Sequence, residues 1–193
     1  MNNLEFLKSR KFPLLIATVM LVIFSVSSAI SYFSRETMTV DGVAFVAYEN
    51  KEHGFRFFYP EDWLFDEPRS TNVVTFLATK PTTPIERGFF IVGIEKPADS
   101  HKNLADYSAE TLKNLEENIP DFTLLESNDV TFGGKPAHAI VQTATVNGHS
   151  IKSKQVWYIQ NESVYNVSYS ASVYFYSRYE PIAQTMFESF QVE

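Results

Sequence analysis

Two turn signals, Gly133-Gly134 and Asn147-Gly148, divide residues 122–173 into long β-rich segments, and their spacing constrains the fold more than any other feature. Asn-Gly suits a two-residue hairpin because both central positions of a type I′ turn need positive φ, which Asn and Gly accept at least cost. Strands joined so tightly lie antiparallel, because parallel neighbours require a long crossover. The predicted strands run over 122–132, 136–146, 151–160 and 164–173. The last one alternates, with Tyr165, Val167, Tyr169, Ala171 and Val173 on one face and Asn166, Ser168, Ser170 and Ser172 on the other.

Upstream, 43–48, 55–59 (stopped by Pro60), 73–78 and 89–95 also read as strands. The period then changes. Leu104, Tyr107, Thr111, Leu115 and Ile119 recur at helical spacing, Asn103 is a suitable N-cap with Asp106 in the first turn, and Pro120 ends the element. A second helix is expected from about Tyr179, with Pro181 in its first turn and Ile182, Met186 and Phe190 facing the sheet. This order predicts an α+β fold: a largely antiparallel sheet flanked by helices.

A further feature sets the address. Residues 12–33 form one apolar stretch of 22 residues without a charge, long enough as a helix to reach across a ~30 Å hydrocarbon core. Lys8, Arg10 and Lys11 crowd its N-terminal flank, whereas Arg35 beyond it is offset by Glu36. That asymmetry predicts a cytoplasmic N-terminus (1–11), a transmembrane anchor or uncleaved signal (12–33), a short linker (34–44) and an extracytoplasmic domain (45–193). The competing reading is a signal peptide cleaved after Ala29, with Ser27-Ser28-Ala29 as its small residues, which yields a secreted protein. Both readings place the domain outside the cytoplasm.

Beyond residue 33 the chain carries 13 basic and 22 acidic residues, a net charge of −9. With no Lys/Arg stripe, such a surface repels nucleic acid. The absence of cysteine removes disulfides, thiolate metal sites, cysteine nucleophiles and lipid attachment through a thiol. The domain must rest on its apolar core, and 17 Phe, 10 Tyr and 2 Trp supply it.

Tyr48-Glu49-Asn50, Gly54-Phe55-Arg56-Phe57 and Tyr59-Pro60-Glu61-Asp62-Trp63 resemble the opening of PsbP-like domains. The resemblance extends through Gly134-Lys135-Pro136-Ala137, the aromatic hairpin between Trp157 and Tyr169, and Ser189-Phe190 in the closing helix, covering roughly residues 45 to 191. PsbP is the extrinsic lumenal subunit of oxygen-evolving photosystem II. The resemblance implies an α/β/α sandwich and non-enzymatic work, namely binding, assembling or stabilising a membrane protein complex. A nuclear-import factor shares the fold, so the fold does not name the partner. The Gly-Phe-x-Phe-x-Tyr-Pro-x-x-Trp box also has a packing role, with Phe55, Phe57 and Tyr59 on one strand face and Trp63 beyond the turn.

No reaction motif accompanies these features. His53, His101 and His149 fall in loops or turns and His138 in a strand, without the helical spacing of a zinc enzyme. A metal site would need the fold to bring His138 or His149 to a carboxylate. Glu61-Asp62 and Glu116-Glu117 are adjacent pairs whose side chains diverge, and neither a nucleophile elbow nor a phosphate loop is present. The sequence therefore predicts no catalytic, cofactor or metal residues. Tyr174, Phe175, Tyr176 and Tyr179 are candidates either for a partner surface or for closing the core, and Asn161 and Asn166 begin glycosylation sequons. Beside the assembly module stand two alternatives: a small apolar ligand-binding module with a cleft between sheet and helix, and an enzyme whose site is assembled from distant residues.

Overall fold

A computed structural model describes residues 36–67, 72–79, 87–97 and 103–193. The apolar stretch 12–33 lies outside the described residues, and among those described no helix is long and apolar enough to cross a membrane. The elements are β1 (Thr37–Val40), β2 (Val43–Asn50), β3 (Phe55–Pro60), β4 (Leu64–Asp66), β5 (Asn72–Leu77), β6 (Phe89–Glu95), α1 (Leu104–Asn118), β7 (Thr123–Phe132), β8 (Lys135–Val146), β9 (His149–Gln160), β10 (Ser163–Ser172), α2 (Tyr176–Glu188) and β11 (Gln191–Val192).

The α+β class and the antiparallel pairing stand as expected, but the strands form two sheets. One has the order β1-β2-β3-β11 and the other β4-β5-β6-β10-β9-β8-β7. All neighbours in the seven-stranded sheet pair antiparallel. One side of it is a meander from β7 to β10, and β10 then pairs with β6, which precedes α1 in sequence. The turns carry the expected backbone: φ is 56° and 82° at Gly133 and Gly134, and 51° and 77° at Asn147 and Gly148. Gly133 is doubly required, since a Cβ there would fall 2.6 Å from Val192 Cγ2. The third turn uses Asn161 and Glu162 at positive φ, without any glycine.

Residues 37–40, read from sequence as polar connection, form β1, and β11 closes the small sheet through Gln191↔Arg56 and Val192↔Phe55. Helix α2 begins at Tyr176, three residues ahead of the sequence expectation, so Pro181 sits inside the helix. The early start follows from the burial of Tyr176 and Tyr179, which draw the chain against the core before Pro181 is reached. Packing here outweighs the one intrahelical hydrogen bond that proline cannot donate.

The main core fills the space between the two sheets and α2. Phe57 is its centre: the ring lies 5.2 Å from Phe76 and 5.4 Å from both Phe90 and Phe190. Tyr165, Val167, Tyr169 and Ala171 of β10 belong to this core. A smaller cluster on the opposite face joins Ile140, Trp157 and Val164 to Leu104, Tyr107, Leu112 and Leu115 of α1. The layers are therefore α1, the seven-stranded sheet, and the small sheet with α2. At the rim, β7 is almost wholly exposed and bulged between Leu124 and Glu126.

Candidate functional site

Helix α1 is fixed to the sheet by its N-terminal half. Asn103 Oδ1 accepts the Asp106 N–H at 2.9 Å and Asn103 Nδ2 donates to Asp106 Oδ2 at 2.7 Å, which closes the first turn. One turn on, Ser108 Oγ donates to the Leu104 carbonyl and accepts the buried Trp157 indole N–H at 2.8 Å. Tyr107 donates to the Glu95 carboxylate, and burial, then this bond, push its phenol up to about 12.

The C-terminal half of α1 leaves the sheet less tightly covered. Register places Leu124, Gln142, Ser153, Ser170 and Phe89 in one row across β7, β8, β9, β10 and β6, and Ile140, Gln155, Ser168 and Ile91 in the next. On β10 every residue of this face from Asn166 to Ser172 is Asn or Ser, so the central strand offers no bulk for a helix to pack on. The result is a cleft of about 620 Å³ between α1 and the sheet, within the roughly 300–1,000 Å³ range of small-molecule sites. Phe89, Ile91, Leu115, Ile119, Ala144 and Ile151 give it an apolar lining, and Gln142, Ser153, Ser170 and Ser172 a polar floor. Ser153 and Ser170 hydrogen-bond each other at 2.8 Å. Two buried polar atoms on the lining have no partner, Gln142 Oε1 and Arg87 Nε. Such atoms are costly unless something pairs with them.

A second constellation lies on the same face at β7 and β8. His138 Nδ1 is 2.7 Å from Asp129 Oδ1, His138 Nε2 is 2.9 Å from Ser127 Oγ, and the imidazole lies on Trp157 with centroids 5.3 Å apart. The order Ser–His–Asp is that of a hydrolytic triad. The setting is different: the Asp129 side chain is 89% exposed, so water rather than protein surrounds the group that must orient the imidazole. Ser127 lines none of the clefts described. The arrangement ties the exposed edge strand to its neighbour. Sequence reasoning found His138 but missed both partners. A signal was available: Asp129 and His138 stand equally far from the Gly133-Gly134 turn, so the hairpin pairs them.

The other predicted residues are dispersed. Tyr174 is 84% exposed, Phe175 is half-buried, and Tyr176 and Tyr179 are core residues, so the aromatic cluster divides between surface and interior. Tyr169 Oη donates to the Tyr176 carbonyl at 2.6 Å. Asn161 is exposed in the β9–β10 turn, whereas Asn166 is half-buried in β10 with strands on both sides. His53 lies in the turn after β2, where its carbonyl accepts the Tyr165 hydroxyl. His149 opens β9 at the mouth of the cleft. His101 lies outside the described residues. Among the described residues no group of three or more His, Cys, Asp or Glu is placed to hold a metal ion.

The two-sheet sandwich with α1 on its outer face is the PsbP-like fold, which the Gly-Phe-x-Phe-x-Tyr-Pro-x-x-Trp box led us to expect. Solved structures agree. LpqN of Mycobacterium tuberculosis, described as involved in cell envelope biogenesis, superposes with a TM-score of 0.56 at 17% identity over 77% of this chain and 90% of its own. Cyanobacterial PsbP (CyanoP) from Synechocystis sp. PCC 6803 gives 0.54 at 15% identity over 77% and 92%. The Ran-binding protein Mog1p of Saccharomyces cerevisiae gives 0.50 at 11% identity over 82% and 96%. No protein-family description matches the sequence, and no curated protein does.

Proposed function

We propose that this protein is a non-catalytic binding module, tethered to a membrane by residues 12–33 and held on its extracytoplasmic side, that assembles or stabilises a membrane protein complex. The observation that carries the reading is the open face of the seven-stranded sheet: a partly apolar cleft with unpaired polar atoms is built for recognition, and the His138 constellation beside it lacks the enclosure that hydrolysis needs. The solved structures of this fold support it, since one is described as acting in envelope biogenesis and another as binding a protein. Tyr174 is the exposed remnant of the predicted aromatic surface and contributes to partner contact, and Asn161 is the sequon in the better position to carry a glycan. Photo-crosslinking in intact membranes tests the proposal. A photoreactive residue at Tyr174, or at Leu125, which is exposed on β7, is expected to yield a discrete adduct with a membrane protein. Recovery of the chain without adducts at native abundance overturns it.

A second reading is favoured by the size of the cleft. A 620 Å³ space lined by Phe89, Ile91, Leu115, Ile119 and Ile151 suits a small apolar ligand held between sheet and helix. Denaturing extraction of the purified protein followed by mass spectrometry tests it, and an empty extract removes it.

A further inference from the structure

The two unpaired polar atoms on the cleft wall say more about the occupant than its volume does, and the argument rests on the second reading above. Gln142 is 6% exposed, and its Oε1 needs a donor. Arg87, just ahead of β6, offers a buried Nε–H that needs an acceptor and a cationic group suited to an anion. The cross-strand row relates the strands that carry them. Gln142 pairs with Ser153, Ser153 with Ser170 and Ser170 with Phe89, two residues beyond Arg87. The strands β8 and β6 thus lie three spacings apart, about 14 Å across the sheet. Between them the lining is apolar above, with Leu115 and Ile119, and small below, with Ser153 and Ser170. A compact polar ligand leaves the apolar lining uncovered, and a plain hydrocarbon satisfies neither polar group.

We propose that the cleft binds an elongated anionic amphiphile: an acidic headgroup on Arg87, an apolar chain along Phe89, Ile151 and Leu115, and a hydroxyl or amide N–H toward the far end donating to Gln142 Oε1. The net acidity of the chain leaves Arg87 as the local attractor, so recognition depends on that one guanidinium.

The probe is 12-hydroxydodecanoate, compared with dodecanoate and dodecanol. Each is titrated against the full-length chain in phosphatidylcholine nanodiscs, with empty nanodiscs measuring partition into lipid. The hydroxy acid is expected to bind tightest, dodecanoate more weakly and dodecanol weakest by at least about tenfold, the scale of a hydrogen bond to a charged group. Arg87→Ala is expected to bring both acids down to the level of dodecanol without changing dodecanol itself. Gln142→Leu is expected to remove the advantage of the hydroxy acid over dodecanoate. Ile151→Trp, which fills the cleft from β9, is expected to abolish saturable binding of all three. Circular dichroism of each variant reports folding, and Arg87→Lys, which keeps the charge but loses the fork, is expected to retain part of the acid preference. Equal binding of dodecanol and the acids, or no effect of Arg87→Ala in a folded protein, overturns this assignment and leaves the apolar-ligand reading standing. Absence of saturable binding by any probe overturns both.

Discussion

The two faces of the seven-stranded sheet use the same strands for opposite ends. On β10, Tyr165, Val167, Tyr169 and Ala171 enter a core closed by the small sheet and α2, while Asn166, Ser168, Ser170 and Ser172 turn to the side that α1 only partly covers. Large rings on the first face gain from every neighbour they touch, so that side packs dry and tight. Small polar side chains on the second face gain little from being covered, so that side stays partly open at little cost. A period of two lets one strand specify both conditions. The lesson is a division of labour: stability resides on the aromatic face, which leaves the serine face free of that demand.

Alkaline titration tests this division most severely. On that face, burial pushes up the phenols of Tyr48, Tyr158, Tyr165, Tyr169 and Tyr176. The folded protein then keeps protons that the unfolded chain releases near pH 10, so their contribution is complete below about pH 10 and is lost as pH rises through the folded values. We expect cooperative unfolding by about pH 12, with circular dichroism and tyrosinate absorbance changing together. Tyrosinate forming fully near pH 10 in a protein that stays folded breaks the picture of a dry face.

Substitution compares the faces directly. Phe57→Ala opens a cavity among Phe76, Phe90 and Phe190 and is expected to cost about 3–5 kcal/mol in urea denaturation. Ser168→Ala, on the α1 side of the seven-stranded sheet, is expected to stay within about 0.5 kcal/mol. Comparable losses at the two positions erase the distinction. Where α1 does touch the sheet, Ser108→Ala leaves the Trp157 indole N–H buried without its acceptor, at an expected cost of about 1–3 kcal/mol. Trp157 fluorescence should then report a loosened helix before global unfolding. His138→Ala is expected to cost about 1 kcal/mol, because both of its side-chain partners are exposed. Ester hydrolysis by the parent protein that this substitution abolishes would turn the edge of the serine face into a reaction centre.

Much of the architecture was legible in local sequence. The Asn147-Gly148 turn, the span of α1 from its Asn103 cap to the stop at Pro120, and the alternation of β10 are short-range signals with direct physical causes. What escaped depends on distant pairing. The two-residue strand β11 has no periodicity to detect and exists because β3 offers Phe55 and Arg56 as partners. Division into two sheets, and with it the cleft, depends on β6 finding β10 across the intervening helix. Gln142 and Arg87 lack any motif; only the folded sheet brings them into the lining of one cleft. The Ser127–His138–Asp129 line lay between these extremes, since the hairpin fixes its register once the Gly133-Gly134 turn is trusted.

The bulged rim strand β7 carries a colloidal consequence. Among the described residues its outer edge pairs with no strand, and such an edge is the template on which copies of a β-protein stack into fibrils. Leu125 and Val130 on that strand are exposed and would favour stacking, while Glu126 and Asp129 carry like charge and the bulge after Leu124 spoils a flat fit. The guard is therefore largely electrostatic, with a reach of about 8 Å at physiological ionic strength and about 3 Å in molar salt. Storage in concentrated salt, harmless to the dry core, is the condition under which this rim is least protected.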